Sequence, residues 1–217
     1  VTLLHIPTGS FVITASVHGR GPTGVILGHG AGGDRRTGFL VRCAEALGST
    51  GRTAVLFNFP YTEARRRAPD PPPVLEASVE AVASHVRREL GVSRVVLGGK
   101  SMGGRIASQA VAGGTAADGL VFLGYPLHPP GKPDRLRDRH LGAIRVPMLF
   151  LQGTRDAFAT WDLIATVVGR LGDRARLDRI EDADHSFGVP KRSGRSREEV
   201  EADLWQRLAS WLDSLGL

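Results

Sequence analysis

The chain has 217 residues, 41% of them hydrophobic, and a formal charge of +6 from 28 Lys and Arg against 22 Asp and Glu. That length supplies one substantial core, so a single domain over 1–217 is expected, and no apolar run approaches the roughly eighteen residues a bilayer crossing needs. The single cysteine, Cys43, excludes an intrachain disulfide or a thiolate metal cluster from one chain, and arginines scattered among acids without interleaved aromatics disfavour a nucleic-acid site.

In chain order, Ser10 to His18 alternates like an antiparallel strand and ends at the turn residues GRGP. VILGH, 25–29, is a short continuous apolar run of the buried parallel-strand type. From Thr37 to Leu47 the apolar positions Phe39, Leu40, Cys43, Ala44 and Leu47 recur at helical spacing, which places Cys43 in the core as a spectator thiol. A strand follows at Thr53 to Phe57. The stretch Tyr61 to Pro73, with its prolines and the triplet Arg65, Arg66, Arg67, reads as a surface connection.

Residues 74–90 form an amphipathic helix closed by Gly91, and VVLGG, 95–99, is the next buried strand. Met102 to Val111 is helical, Leu120 to Leu123 and 146–153 are strands, and 126–144 is a connection too short for a lid domain. A helix at Trp161 to Leu171, a strand at Ala175 to Ile180 and a final helix at Glu198 to Leu215 complete the chain. Strands alternating with helices specify crossovers, and hence a doubly wound, mostly parallel α/β sheet led by an antiparallel strand.

The strongest local signal is Gly99-Lys100-Ser101-Met102-Gly103, a G-x-S-x-G between an apolar strand and a helix. A serine in so sharp a turn has a strained backbone that needs small neighbours two residues away on either side. Two rival glycine motifs fail. A phosphate-binding P-loop needs a glycine where this chain has Arg94, and Gly28, Gly30 and Gly33 lack the acidic residue that should close the strand ending in Phe57-Asn58-Phe59. The loop His29-Gly30-Ala31-Gly32-Gly33 is better used as half of an oxyanion hole, with the Ala31 N–H facing the Met102 N–H. His29 and Gly30 then border the substrate, with His29, at a strand end rather than in a late loop, read as a structural hydrogen-bonding residue in preference to a second base.

A serine hydroxyl needs a base, and the base needs a carboxylate to hold its tautomer. In this strand–turn–helix setting the order is Ser, acid, His. His185 alone lies beyond the last strand, in the polar loop EDADHSFG, whereas His128 and His140 precede the strand at 146–153. For the acid, Asp156 follows a buried strand and so reaches the same sheet edge as Ser101. Asp182 and Asp184 are nearer in sequence and suit turn capping. The expected triad is Ser101, His185 and Asp156.

GHGAGGD at 28–34, GGKSMGGR at 98–105, LQGTRD at 151–156 and DADHSF at 182–187 together resemble α/β-hydrolases of the dienelactone-hydrolase-like group. More narrowly, they are similar to small proteins related to a testis-expressed protein of this fold and to the hydrolase-like domain of a non-specific-lethal histone acetyltransferase complex subunit. The resemblance covers about Val25 to Phe187. It implies an α/β-hydrolase fold without a lid, nucleophile Ser101, acid Asp156, base His185 and oxyanion donors near Ala31 and Met102.

The chemistry expected is acyl transfer from a small-molecule carboxylic ester, or a related acyl compound, to water, with no metal or organic cofactor required. Tyr61 and Tyr125, which follow strand ends, are candidate substrate contacts. Lys100 is a candidate anion contact or a brace that holds the turn through an acidic neighbour. The Arg65 to Arg67 triplet is either a solvated loop or an attractor for an acidic substrate. The competing class is a non-catalytic α/β-hydrolase-like interaction module, and the final helix is available either to cover the sheet or to form a dimer seam. Without a recognisable leader at its start, the chain is expected in the cytoplasm.

Overall fold

A computed structural model of the chain describes residues 1–9 and 11–217. Among these residues eight strands form one sheet: β1 (Thr2–Pro7), β2 (Val12–His18), β3 (Thr23–Gly28), β4 (Thr53–Phe57), β5 (Arg94–Lys100), β6 (Gly119–Leu123), β7 (Met148–Gly153) and β8 (Ala175–Ile180). Their order is β1-β2-β4-β3-β5-β6-β7-β8. β1 and β2 run antiparallel to their neighbours, and all pairs from β4 onward across the sheet are parallel.

Six α-helices accompany them among the described residues: α1 (Gly38–Ser49), α2 (Pro60–Glu63), α3 (Pro72–Leu90), α4 (Met102–Ala112), α5 (Trp161–Leu171) and α6 (Arg197–Ser214). The central strands read as unbroken apolar runs because both of their faces are covered. Alternate residues go to opposite sides: Val95, Leu97, Leu120, Phe122, Met148 and Phe150 join the core under α3, α4 and α5. Val96, Val121, Leu123, Leu149 and Leu151 join the core under α1 and α6. Cys43 is fully buried in the second core, and desolvation pushes its thiol pKa up, so it is inert as a nucleophile.

Three details differ from the sequence reading. β1 precedes the expected leading strand, whose first residue, Ser10, lies outside the described residues; as an edge strand it fully buries only Ile6 and so shows little patterning. The connection after β4 is not wholly superficial, since α2 carries Pro60 and Tyr61 into the core. α3 starts two residues early, where Pro72 and Pro73 occupy its first turn, a place that needs no proline N–H. Between β6 and β7 the chain forms only a single 3₁₀ turn at Leu141–Ala143, so there is no lid domain. Among the described residues no helix is long and apolar enough to cross a membrane.

Candidate active site

The parallel strands deliver their C-terminal ends to one edge of the sheet, where open α/β sheets form ligand sites. β5 ends there in a turn at Ser101 with φ 51° and ψ −115°, a conformation that costs a side-chain-bearing residue about 1–3 kcal/mol. Backbone crowding holds the turn in place. A Cβ on Gly99, which has φ +145°, would lie 2.1 Å from the Gly28 oxygen, and one on Gly103 would lie 2.1 Å from the same atom. The two glycines that flank Ser101 therefore let the turn close directly onto β3. The turn also stays stitched to the sheet, with the Ser101 N–H donating to the Leu123 oxygen at 3.2 Å, and α4 begins with Arg105 N–H on the Ser101 oxygen at 3.1 Å.

The loop after β8 brings His185 over this turn. Its Nε2 lies 2.8 Å from Ser101 Oγ, and its Nδ1 lies 2.7 Å from Asp156 Oδ2. Because a carboxylate only accepts, Nδ1 carries the proton and Nε2 is left to accept from the serine hydroxyl. The Asp156 side chain is completely buried while that of His185 is 18% exposed. Desolvation makes the carboxylate a costly group unless it is bonded, and it accepts two further hydrogen bonds: Gln152 Nε2–H at 2.6 Å on Oδ2 and the Phe158 N–H at 2.7 Å on Oδ1. The Phe158 ring covers the imidazole at 4.2 Å between centroids. Asp182 and Asp184 do not reach the imidazole; Asp184 Oδ1 instead accepts the N–H groups of Ser186 and Gly188, which closes the loop on itself.

The glycine loop after β3 abuts the nucleophile, since a Cβ on Gly30 would be 3.6 Å from Ser101 Cβ. His29 sits fully buried beneath it. Its Nδ1–H donates to the Gly30 oxygen at 2.8 Å, while Nε2 accepts from the Phe59 N–H and the Thr62 hydroxyl, both at 3.2 Å. Burial lowers the His29 pKa, which keeps this single neutral tautomer. The Gly30 oxygen also accepts the Gly33 N–H at 3.0 Å. With that carbonyl held, the planar trans peptide sends the Ala31 N–H in the opposite direction. The Met102 N–H, first in α4, has no intrahelical acceptor.

The remaining candidates are placed as follows. Tyr61 is 1% exposed, its ring against His29 and Phe59, and it forms a wall of a cavity of about 620 Å³ that Gly32, Asp34 and Arg65 to Arg67 also line. Tyr125, expected as a substrate contact, is a core residue instead: its ring packs on Phe122 and Phe150, and its hydroxyl donates to the Arg137 oxygen at 2.6 Å. Its part in the site is made by its backbone, whose N–H holds Gln152 Oε1 at 2.8 Å. Lys100 is braced, but not by an acid: its Nζ donates to the His185 carbonyl at 2.5 Å. His128 holds the start of α5 through Thr160, and His140 bonds Ser108, so neither competes as the base.

Gln152 and Phe158 are the site residues that the sequence reading passed over. Gln152 carried a signal: it is the one polar residue in the apolar run of β7, and such a residue at zero exposure must be serving a partner.

A family model described as an alpha/beta hydrolase domain matches residues 22–213, most of the chain. The chain belongs to the α/β hydrolase family. Solved structures of the same fold include an α/β serine hydrolase without a lid from Xanthomonas campestris, at 20% identity, TM-score 0.76 and coverage of 97% of this chain and 94% of that one. A dienelactone hydrolase from Anabaena variabilis matches at 20% identity and TM-score 0.74, covering 98% and 96%. A dienelactone hydrolase-like promiscuous phosphotriesterase from metagenomic libraries matches at 16% identity and TM-score 0.73, covering 99% and 97%. The α/β-hydrolase fold, the strand-to-helix serine turn and the bonded Ser101–His185–Asp156 array together make this chain a serine hydrolase.

Proposed function

We propose that this serine hydrolase cleaves small carboxylic esters through an acyl-enzyme. Ser101 Oγ attacks the carbonyl carbon as His185 Nε2 takes its proton, and Asp156 holds the resulting imidazolium in place. The N–H groups of Ala31 and Met102 are assigned as the oxyanion donors. Support comes from the Ala31 N–H being turned away from the doubly held Gly30 carbonyl, and from the Met102 N–H having no helical acceptor. His185 then returns the proton to the leaving alcohol and later activates water against the acyl-serine.

A small substrate is favoured by the shape of the surface. The connection between β6 and β7 adds no lid that could enclose a long acyl chain. The neighbouring folds point the same way by name, since they include a dienelactone hydrolase and a planctomycete esterase from Thermogutta terrifontis bound to propionate.

Within the superfamily we place the chain beside the small testis-expressed and non-specific-lethal-subunit relatives, on the lysine before the nucleophile and the Gly-Gly-Arg that follows Met102. We read the 217 residues as one domain acting on a small molecule in the cytoplasm.

The observation that carries this function is the 2.8 Å approach of His185 Nε2 to Ser101 Oγ with Asp156 behind it. Intact-mass analysis after exposure to a small fluorophosphonate tests it. A single adduct on the native chain, absent from Ser101→Ala and His185→Ala, is expected. A folded native chain that takes up no adduct would overturn the catalytic reading.

A further inference from the structure

Lys100 is an unusual neighbour for a nucleophile. It is the last residue of β5, paired in register with Leu123 of β6, and its side chain reaches the loop that carries the base. There the ammonium donates to the main-chain oxygen of His185 itself, across 85 positions of sequence. The Phe187 ring lies 5.5 Å from Nζ. Below them is Gly124, with φ +73°, where a Cβ would lie 3.2 Å from Nζ, 3.4 Å from the His185 oxygen and 3.6 Å from Asp156 Oδ2. A Cβ there would crowd Nζ and touch the other two atoms, and the positive φ itself favours glycine, at the point where the lysine, the base and the acid meet.

We propose that Lys100 is a positioning residue for the general base: by holding the His185 carbonyl it ties the loop after β8 to the strand that ends in Ser101, and so sets the reach of the imidazole to the nucleophile. The inference rests on the serine-hydrolase reading and adds to it a tether between base and nucleophile that bypasses the aspartate. Among the described residues, the one other hydrogen bond that joins these two segments is the one to be activated, His185 Nε2 to Ser101 Oγ. Without the tether, the imidazole is located by Asp156, by Phe158 and by the loop's own turn at Asp184, all of which hold it relative to β7 and β8 rather than β5.

The charge on Lys100 strengthens the tether, because a hydrogen bond from an ammonium is about twice as strong as one from an amine. Burial lowers the Lys100 pKa to about 8, with the carboxylates of Asp156 and Asp184 opposing that shift. Arg197, from α6, lines a surface cleft together with Lys100. The ammonium is therefore present at neutral pH and is lost in the mildly alkaline range, where an ordinary lysine stays charged.

The test compares the native chain with Lys100→Met and Lys100→Arg, using p-nitrophenyl acetate hydrolysis from pH 6 to 10. It also uses amide hydrogen exchange over residues 182–188. Lys100→Met should lower kcat on the order of 10- to 100-fold with KM within about threefold, the range expected when a reacting group is displaced by about an ångström. The native kcat should step down about fivefold through pH 8, while Lys100→Arg, which keeps its charge throughout, should retain more activity than the Met variant and show no step. Exchange over 182–188 should be faster in Lys100→Met, an effect that does not depend on catalysis. Unchanged exchange in Lys100→Met, or a kcat and pH profile within twofold of native, would overturn the role of Lys100. A native chain that neither hydrolyses the ester nor takes the fluorophosphonate, yet shows the exchange difference, would retain the tether and overturn the hydrolase reading instead.

Discussion

The turn that carries Ser101 and the loop that carries His185 meet at 2.8 Å, yet they are held by different forces. The turn is fixed by backbone against backbone: Gly99 and Gly103 close onto Gly28, where no side chain fits. The loop starts from a backbone contact of its own, Ala183 against Gly153, but around His185 it is held by side-chain hydrogen bonds to main-chain groups, with Asp184 taking the N–H groups of Ser186 and Gly188, and Lys100 taking the His185 carbonyl. Steric exclusion admits one geometry, whereas a set of hydrogen bonds can weaken one at a time. The nucleophile should therefore respond to substitution in an all-or-none manner, and the base in graded steps.

The largest effects sharpen the contrast at the atoms that react. Asp156→Asn should cost on the order of 10⁴-fold in kcat, because the amide replaces one acceptor oxygen with an NH2: that group meets either the Phe158 N–H or, with the amide turned over, the His185 Nδ1, where it favours the wrong imidazole tautomer. Esterase kinetics on a folded variant check this. Ser101→Gly should abolish adduct formation while raising the thermal midpoint, since glycine relieves the strain of φ 51° at that position. A lower midpoint would mean that the serine is not strained there and that the turn is held otherwise than described.

Next in size is Gly103→Ala. Its methyl would sit 2.1 Å from the Gly28 oxygen, so urea unfolding should show a loss beyond the ~1–3 kcal/mol usual for overpacking, with activity falling in parallel. Asp184→Ala, by contrast, frees two exposed N–H groups and should leave stability within about 1 kcal/mol while lowering kcat about tenfold. If Asp184→Ala unfolded the chain, or Gly103→Ala left it intact, the distinction between steric and bonded halves would fail.

The smallest effect concerns pH. Lys100 has a folded pKa of about 8, below its unfolded value of 10.5, so between these values the unfolded chain binds more protons and stability rises with pH. Activity is expected to fall over the same range. Thermal midpoints of the native chain relative to Lys100→Met, followed from pH 7 to 10.5, should therefore climb while kcat drops. His140 acts in the same sense at lower pH. Burial and the nearby Arg105 hold it down to about 4, so its contribution is lost as pH falls below the usual imidazole range toward 4.

The sequence by itself determined the order of the central strands and helices, the serine turn and the identities of the base and its acid. Each of these depends on short-range chemistry: apolar runs covered on both faces, glycines two residues either side of Ser101, an aspartate just past a strand and a histidine past the last one. Only the tertiary structure decided which polar groups serve that array. Gln152 on Asp156, Lys100 on the His185 carbonyl and His29 beneath Gly30 are bonds whose partners are chosen by the packing of separate strands. The same packing buried Tyr125, which a linear reading left beside the substrate, because a residue after a strand end can turn either outward to the cleft or inward beneath it. β1 escaped the reading for the opposite reason: an edge strand buries too little to impose a pattern on its residues.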